Sequence, residues 1–161
     1  MCSRTDRRRK GAMRRREEQI TDRAQIDAII RGSQVCRLGL SDQGQPYVVP
    51  LCFGYDGKAL YFHCAPEGRK LDILRRNNKV CFEFDIVEGM IEADQGCDWG
   101  IRYQSVIGSG IARLVEDPKE KQSALALVMG QYSSRTFSFP PETVSRSAVV
   151  RIDIESLTGK Q

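Results

Sequence analysis

Leu60-Tyr61-Phe62-His63-Cys64-Ala65-Pro66-Glu67-Gly68-Arg69-Lys70-Leu71-Asp72-Ile73-Leu74 is the stretch whose reading decides how this chain folds. Its opening reads as the end of a strand, and Pro66 and Gly68 stop that pattern. Arg69 and Lys70 stand where a short helix opens, with Leu71, Ile73 and Leu74 as its inner face. The first backbone N–H groups of a helix have no partner inside the helix, and together with the helix dipole they attract anions. Two adjacent cations strengthen that pull, so the turn suits a phosphate. It equally suits a plain strand-to-helix connection with two solvated cations, and these residues alone favour neither.

Outward from this stretch the chain reads as strands joined by short turns. Upstream, a helix is predicted from Thr21 or Asp22 to Arg31, carrying Ile26, Ile29 and Ile30 on one face and stopped by Gly32. A strand over Val35–Leu40 turns through Ser41–Gln45 into Pro46–Phe53, where Pro50 marks an edge or a bulge because it cannot donate a ladder hydrogen bond. Asp56-Gly57 is the strongest hairpin signal and feeds the strand Ala59–Cys64. Downstream, Lys79–Ile86 alternates cleanly, with Val80, Phe82, Phe84 and Ile86 on one face. Residues 89–101 read as a loop holding Trp99. A long strand follows from Tyr103 to about Val115, in which Gly108 and Gly110 suit a bend or a close approach. Asp117-Pro118 caps a further helix, with Glu120 placed to reach back and Leu125, Val128, Met129 and Tyr132 as its stripe. A loop with Pro140-Pro141 precedes the last strand, Ser147–Ile154, and Ser156–Gln161 carries no signal. Consecutive hairpins imply antiparallel pairing, and closing such a sheet removes its edges. The expectation is a mainly β fold: a six-stranded antiparallel barrel with about three helices.

The length, 161 residues, suits one domain. The formal charge of +4 hides an asymmetry, because residues 1–16 hold eight Arg or Lys against Asp6 alone. The rest carries 17 basic and 20 acidic residues, a balance of −3. The division expected is a basic, disordered tail over 1–16 and a folded domain over 17–161. A tail of this kind could touch nucleic acid or a membrane surface, but no aromatic residue interrupts its charges as single-strand binders prefer, so no nucleic-acid partner is expected. No apolar run reaches the length of a membrane span, and none follows a charged leader. Of the six cysteines none forms a C-x-x-C pair, and Cys36, Cys52, Cys64 and Cys81 fall in apolar runs. A reducing, cytoplasmic setting and no metal site are the readings that follow. His63 is the only histidine.

In this order and spacing the chain resembles the flavin-binding split-barrel family that includes pyridoxamine 5′-phosphate oxidase, and within it the 5-nitroimidazole resistance branch. The residues that carry the resemblance are Tyr47-Val48-Val49-Pro50-Leu51, Tyr61–Lys70, Asn77-Asn78-Lys79-Val80-Cys81-Phe82, and Ser105–Gly110 with Ala112 and Glu116. It covers residues 17–155. The resemblance implies a homodimer with FMN at the interface, each of two sites built from both subunits. It maps backbone contacts to the flavin ring onto Val48, Val49, Pro50 and Leu51. The strand beneath the ring maps onto Phe62 and His63, and the ring or ribityl contact of the long strand onto Tyr103 and Ser105. The oxidases' Ser-Arg-Lys phosphate grip maps onto Gly68-Arg69-Lys70, where glycine removes one side-chain donor.

The function implied is an FMN-dependent reductase that moves hydride or electrons from NAD(P)H or another reductant to a small acceptor such as a nitroaromatic. His63 is its candidate catalytic residue, since a neutral imidazole can donate a hydrogen bond to a nitro or carbonyl group. The same imidazole could instead be a packed structural group. Trp99 could cover the ring or anchor its loop, and Cys64 reads as core rather than nucleophile. The alternative on the same barrel is a non-catalytic flavin or haem carrier, with His63 as axial ligand and Arg37 and Arg69 beside the propionates. A true pyridoxamine 5′-phosphate oxidase is disfavoured, because no histidine follows His63 to help grip that substrate.

Overall fold

The computed structural model describes residues 16–161. The basic tail predicted over 1–16 lies outside the described residues except for the backbone of its last member. The chain runs β1 (Gln19–Ile20), α1 (Arg23–Gly32), β2 (Cys36–Asp42), β3 (Gln45–Leu51), β4 (Gly54–Tyr55) and β5 (Ala59–Cys64). It continues through α2 (Arg69–Arg76), β6 (Lys79–Ile91), β7 (Gly100–Leu114), α3 (Pro118–Tyr132), α4 (Pro141–Arg146) and β8 (Ala148–Lys160). Every pairing is antiparallel. The sheet order is β3-β2-β6-β7-β8-β5-β4, with β1 added to β8. This is the mainly β split barrel expected from the sequence, with eight strands rather than six.

The period-two pattern of β6 explains the core. Val80, Phe82 and Phe84 point inward to meet Leu38, Leu60, Phe62, Val106 and Ile152, all buried. Helix α1 adds Ile26, Ile29 and Ile30 to this cluster, and α2 adds Leu71, Ile73 and Leu74. A second cluster lies outside the barrel, where α3 and α4 pack Ala124, Leu125, Val128 and Val144 on Ala59, Tyr61 and Val149. Hence β5 is covered on both faces over Ala59–Phe62, and only its end emerges.

Gly108 and Gly110 of β7 are there because neighbouring groups come too close for a side chain. A Cβ on Gly108 would lie 2.3 Å from the Phe82 ring, and one on Gly110 would lie 2.3 Å from the Asp153 carbonyl oxygen. The ladder between β7 and β8 slips by one residue beside Gly110, leaving Glu155 as the extra residue.

Three expectations are corrected. The loop predicted over 89–101 is shorter, spanning 92–99, because β6 continues past a bulge at Glu88 and pairs Met90 with Ile101. The last strand does not stop at Ile154: it continues beyond the bulge to Lys160, where β1 pairs with it. Asp117 does cap α3 through the Glu120 N–H at 2.8 Å, but the Glu120 carboxylate bonds Arg113 at 2.7 Å instead of reaching back.

Asp56 ties the hairpin between β4 and β5, accepting hydrogen bonds from the N–H groups of Lys58 (2.8 Å) and Ala59 (2.7 Å) and from the Tyr61 hydroxyl (3.0 Å). Burial pushes the Asp56 carboxyl upward more than any other single influence, yet these donors together hold it below its ordinary value. A depressed folded value gives stability that is complete above about pH 4, the unfolded value, and is lost as pH falls through the folded one. Asp56→Asn is therefore expected to narrow the difference in urea stability between pH 7 and pH 2.5. An unchanged difference contradicts this role.

Candidate functional site

Helix α2 begins without a side-chain cap. Its N-cap is Gly68, at φ 133°, and no side chain accepts from the first turn. That φ lies where L side chains rarely settle, although a Cβ there would meet nothing within 4 Å. Backbone conformation rather than crowding thus accounts for glycine where the resemblance has serine. The first N–H inside the helix to find a carbonyl is that of Asp72, which donates to Gly68 O at 3.1 Å. The N–H groups of Arg69, Lys70 and Leu71 open outward as an anion cradle.

Among the described residues, the two cations beside this cradle have no carboxylate partners. The Arg69 guanidinium lies 4.6 Å from the centroid of the Tyr47 ring, and Lys70 Nζ lies 4.9 Å from that of Phe62. Other arginines nearby each have a carboxylate partner: Arg75 has Asp72, Arg76 has Asp42, and Arg37 has both Glu83 and Asp85. The residues present therefore fit a phosphate dianion, with two free cations, backbone donors and a helix dipole of the right sign.

Tyr47 brings β3 to this turn, a link that sequence reading missed because the two segments are distant in the chain. Pro50 lies on an edge, since among the described residues β3 ends the sheet and pairs only with β2. The backbone groups of Val48–Leu51 that face away from β2 are thus available at a sheet edge. Val48 is 63 % exposed and Pro50 exposed, whereas Val49 and Leu51 turn inward and pack on the core.

On β5 the alternation separates two predicted residues. Phe62 is buried in the barrel under Lys70, while His63 is exposed and makes no side-chain hydrogen bond among the described residues. His63 is not a packed structural group. Burial raises the Cys64 thiol above its ordinary value, with the Lys70 cation opposing, so Cys64 stays protonated near neutrality.

Tyr103 and Ser105 are not brought to the α2 turn within one chain. The register places Val48, Gly39, Cys81 and Ser109 in one row across the sheet. Ser105 and Tyr103 stand four and six residues further along β7, about 13 and 20 Å at 3.3 Å per residue. The Tyr103 hydroxyl instead accepts from Lys160 Nζ at 3.0 Å, and Ser105 is buried. Trp99 anchors its loop by donating from Nε1 to the Ala93 carbonyl at 2.6 Å, and its indole stays half exposed. Around it on the outer part of the β6–β7 hairpin, Val87, Met90, Ile91 and Ile101 are also exposed.

Sequence reading also missed what holds Arg37. Its partners Glu83 and Asp85 share the outward face of β6, and Glu83 lies directly opposite in register. The signal was present in the alternation of β6. Burial, then repulsion by Asp85, raises the Glu83 carboxyl, with Arg37 opposing. Among the described residues no helix is long and apolar enough to cross a membrane.

The chain is similar to several known proteins. The solved structure of a candidate 5-nitroimidazole antibiotic resistance protein from Bacteroides thetaiotaomicron is 36 % identical, with TM-score 0.80, over 88 % of this chain and 85 % of that one. The flavocytochrome Anf3 from Azotobacter vinelandii shares the fold at 21 % identity and TM-score 0.82, over 95 % and 73 % of the two chains. A FAD- and haem-binding protein from Mycobacterium smegmatis does so at 17 % and 0.80, over 89 % and 72 %. An uncharacterized Rhizobium meliloti protein is 30 % identical over 64 residues, which span 40 % of this chain and 42 % of that relative. The family profile of pyridoxamine 5′-phosphate oxidase matches residues 22–161, which takes in every element from α1 to β8. On that match the chain belongs to the pyridoxamine 5′-phosphate oxidase family.

Proposed function

We propose that this protein is an FMN-dependent reductase of small acceptors such as nitroaromatics, working as a cytoplasmic homodimer with the flavin at the subunit interface. The observation that carries the reading is the uncapped start of α2, where Arg69 and Lys70 have aromatic neighbours but, among the described residues, no carboxylate partners. The two cations and the first-turn N–H groups hold the phosphate. The edge backbone of Val48–Leu51 meets the polar rim of the flavin ring. When bound, the flavin supplies the hydride or electron chemistry, drawn from NAD(P)H or another reductant. His63, exposed at the end of β5, donates a hydrogen bond to the acceptor's nitro oxygens and so orients them.

Two subunits are part of the proposal for a geometric reason. Tyr103 and Ser105 stand about 13–20 Å along β7 from the row of Val48, so they reach a flavin held at Val48–Leu51 only from a second copy. The apolar side chains of the β6–β7 hairpin give that copy a surface to bury. The similarity to a candidate nitroimidazole resistance protein supports the choice of acceptor.

The test is anaerobic. Purified protein is loaded with FMN, reduced with NADH or dithionite, and given a 5-nitroimidazole. Reoxidation of the flavin absorbance is expected. Flavin that no nitro compound reoxidises rules out the nitroreductase reading. A second reading, a non-catalytic flavin or haem carrier, is favoured by the free, exposed imidazole of His63. A Soret band lost in His63→Ala, with no turnover of nitro compounds, would select it.

A further inference from the structure

At the other end of α2, a cavity of about 430 Å³ opens between the helix and the ends of β7 and β8. It lies an eight-residue helix away from the Gly68 turn, about 12 Å at 1.5 Å per residue. Its floor is apolar: Leu74, Ala112, Leu114 and Val150. Its rim carries Arg75, Arg76 and Arg113 and no acidic side chain.

The acids that pair with these arginines stand outside the lining and hold the guanidiniums from behind. Arg75 Nη1 bonds Asp72 at 3.1 Å, and Arg76 Nη2 bonds Asp42 at 2.8 Å. Each therefore spends one of its five N–H donors and keeps the others for a ligand. Arg113 is more fully used, with Glu120 at 2.7 Å and Asp153 at 3.7 Å. The volume falls in the range of small-molecule pockets, which pair apolar walls with a few placed polar groups.

We propose that this cavity is a second small-molecule site, taking an amphipathic anion whose apolar body lies on Leu74, Ala112, Leu114 and Val150 and whose carboxylate or phosphate is held by Arg75 and Arg76. The proposal does not rest on the flavin reading. A planar two-ring body fills the floor, and the head group sets the specificity, because a guanidinium fork matches both carboxylate and phosphate.

The test is isothermal titration of the full-length protein with 2-naphthoate, 2-naphthyl phosphate and the neutral 2-naphthylmethanol. The anions are expected to bind at least about ten-fold more tightly than the alcohol. Whichever anion binds more tightly identifies the head group. Arg75→Gln with Arg76→Gln should remove that preference and leave the thermal midpoint nearly unchanged, since the ion pairs lost are exposed. Saturating the Gly68 turn with FMN beforehand should leave anion binding unaltered. Amide resonances of the unmutated protein should shift at Leu74, Ala112 and Leu114. The proposal is overturned by equal binding of anion and alcohol, by an anion preference that survives Arg75→Gln/Arg76→Gln, or by binding that is lost when FMN occupies the Gly68 turn. Resonance shifts confined to other elements overturn it as well.

Discussion

Replacing both Arg69 and Lys70 with alanine is expected to weaken FMN binding by two orders of magnitude or more while the protein stays folded. Charge-assisted hydrogen bonds contribute about 1.5–3 kcal/mol each, so losing two costs about 3–6 kcal/mol, or a factor of 100 to 10⁴ in Kd. The backbone N–H groups of the first helical turn remain, which is why binding weakens rather than vanishes. Stability changes little, because neither side chain holds a carboxylate among the described residues. Arg69 lies on Tyr47 and Lys70 on Phe62, contacts worth about 0.5–1 kcal/mol at exposed sites. Fluorescence quenching of FMN on titration with protein reads the first effect, and thermal unfolding the second. An FMN affinity within a few-fold of the unmutated protein would place the phosphate elsewhere.

The second large effect belongs to the fold. Phe84→Ala is expected to cost about 3–5 kcal/mol of unfolding free energy, in the range of buried phenylalanine truncations. Phe84 is fully buried, with ring centroids 4.8 Å from Phe53 and 5.9 Å from Phe82. Its neighbours sit on paired strands and cannot close the void without shifting the ladder. Against the 5–15 kcal/mol typical of single domains, such a loss is a large fraction of the whole. Urea unfolding at pH 7 measures it, and a loss under about 1 kcal/mol would show that the ring does not fill the barrel as described.

How much could be read in the sequence followed from where local pattern and tertiary structure agree. Val80, Phe82 and Phe84 alternate and face the core, and Asp56-Gly57 makes its hairpin, because one-sided burial and turn chemistry are local rules. The pattern failed at bulges. Glu88 and Glu155 each interrupt the alternation, so the strand beyond them looked like loop or carried no signal. Strand β4 is too short to show a period at all, and α4, begun by Pro141, was hidden by its proline pair.

The candidate site divides in the same way. Gly68-Arg69-Lys70 was legible because strand end, turn and helix start are contiguous. The Tyr47 ring under Arg69 and the ion pairs of Arg37 depend on residues brought together by register, which no local rule supplies. The separation of Tyr103 and Ser105 from that turn is likewise a matter of where β7 runs.

The comparison that bears most directly on the phosphate grip is the affinity of the unmutated protein for FMN against riboflavin, which differ only in that group. FMN should bind at least about 100-fold more tightly, as two charge-assisted contacts require. Equal affinities would mean that Arg69, Lys70 and the first turn of α2 hold no phosphate, and the reading of this site would be wrong.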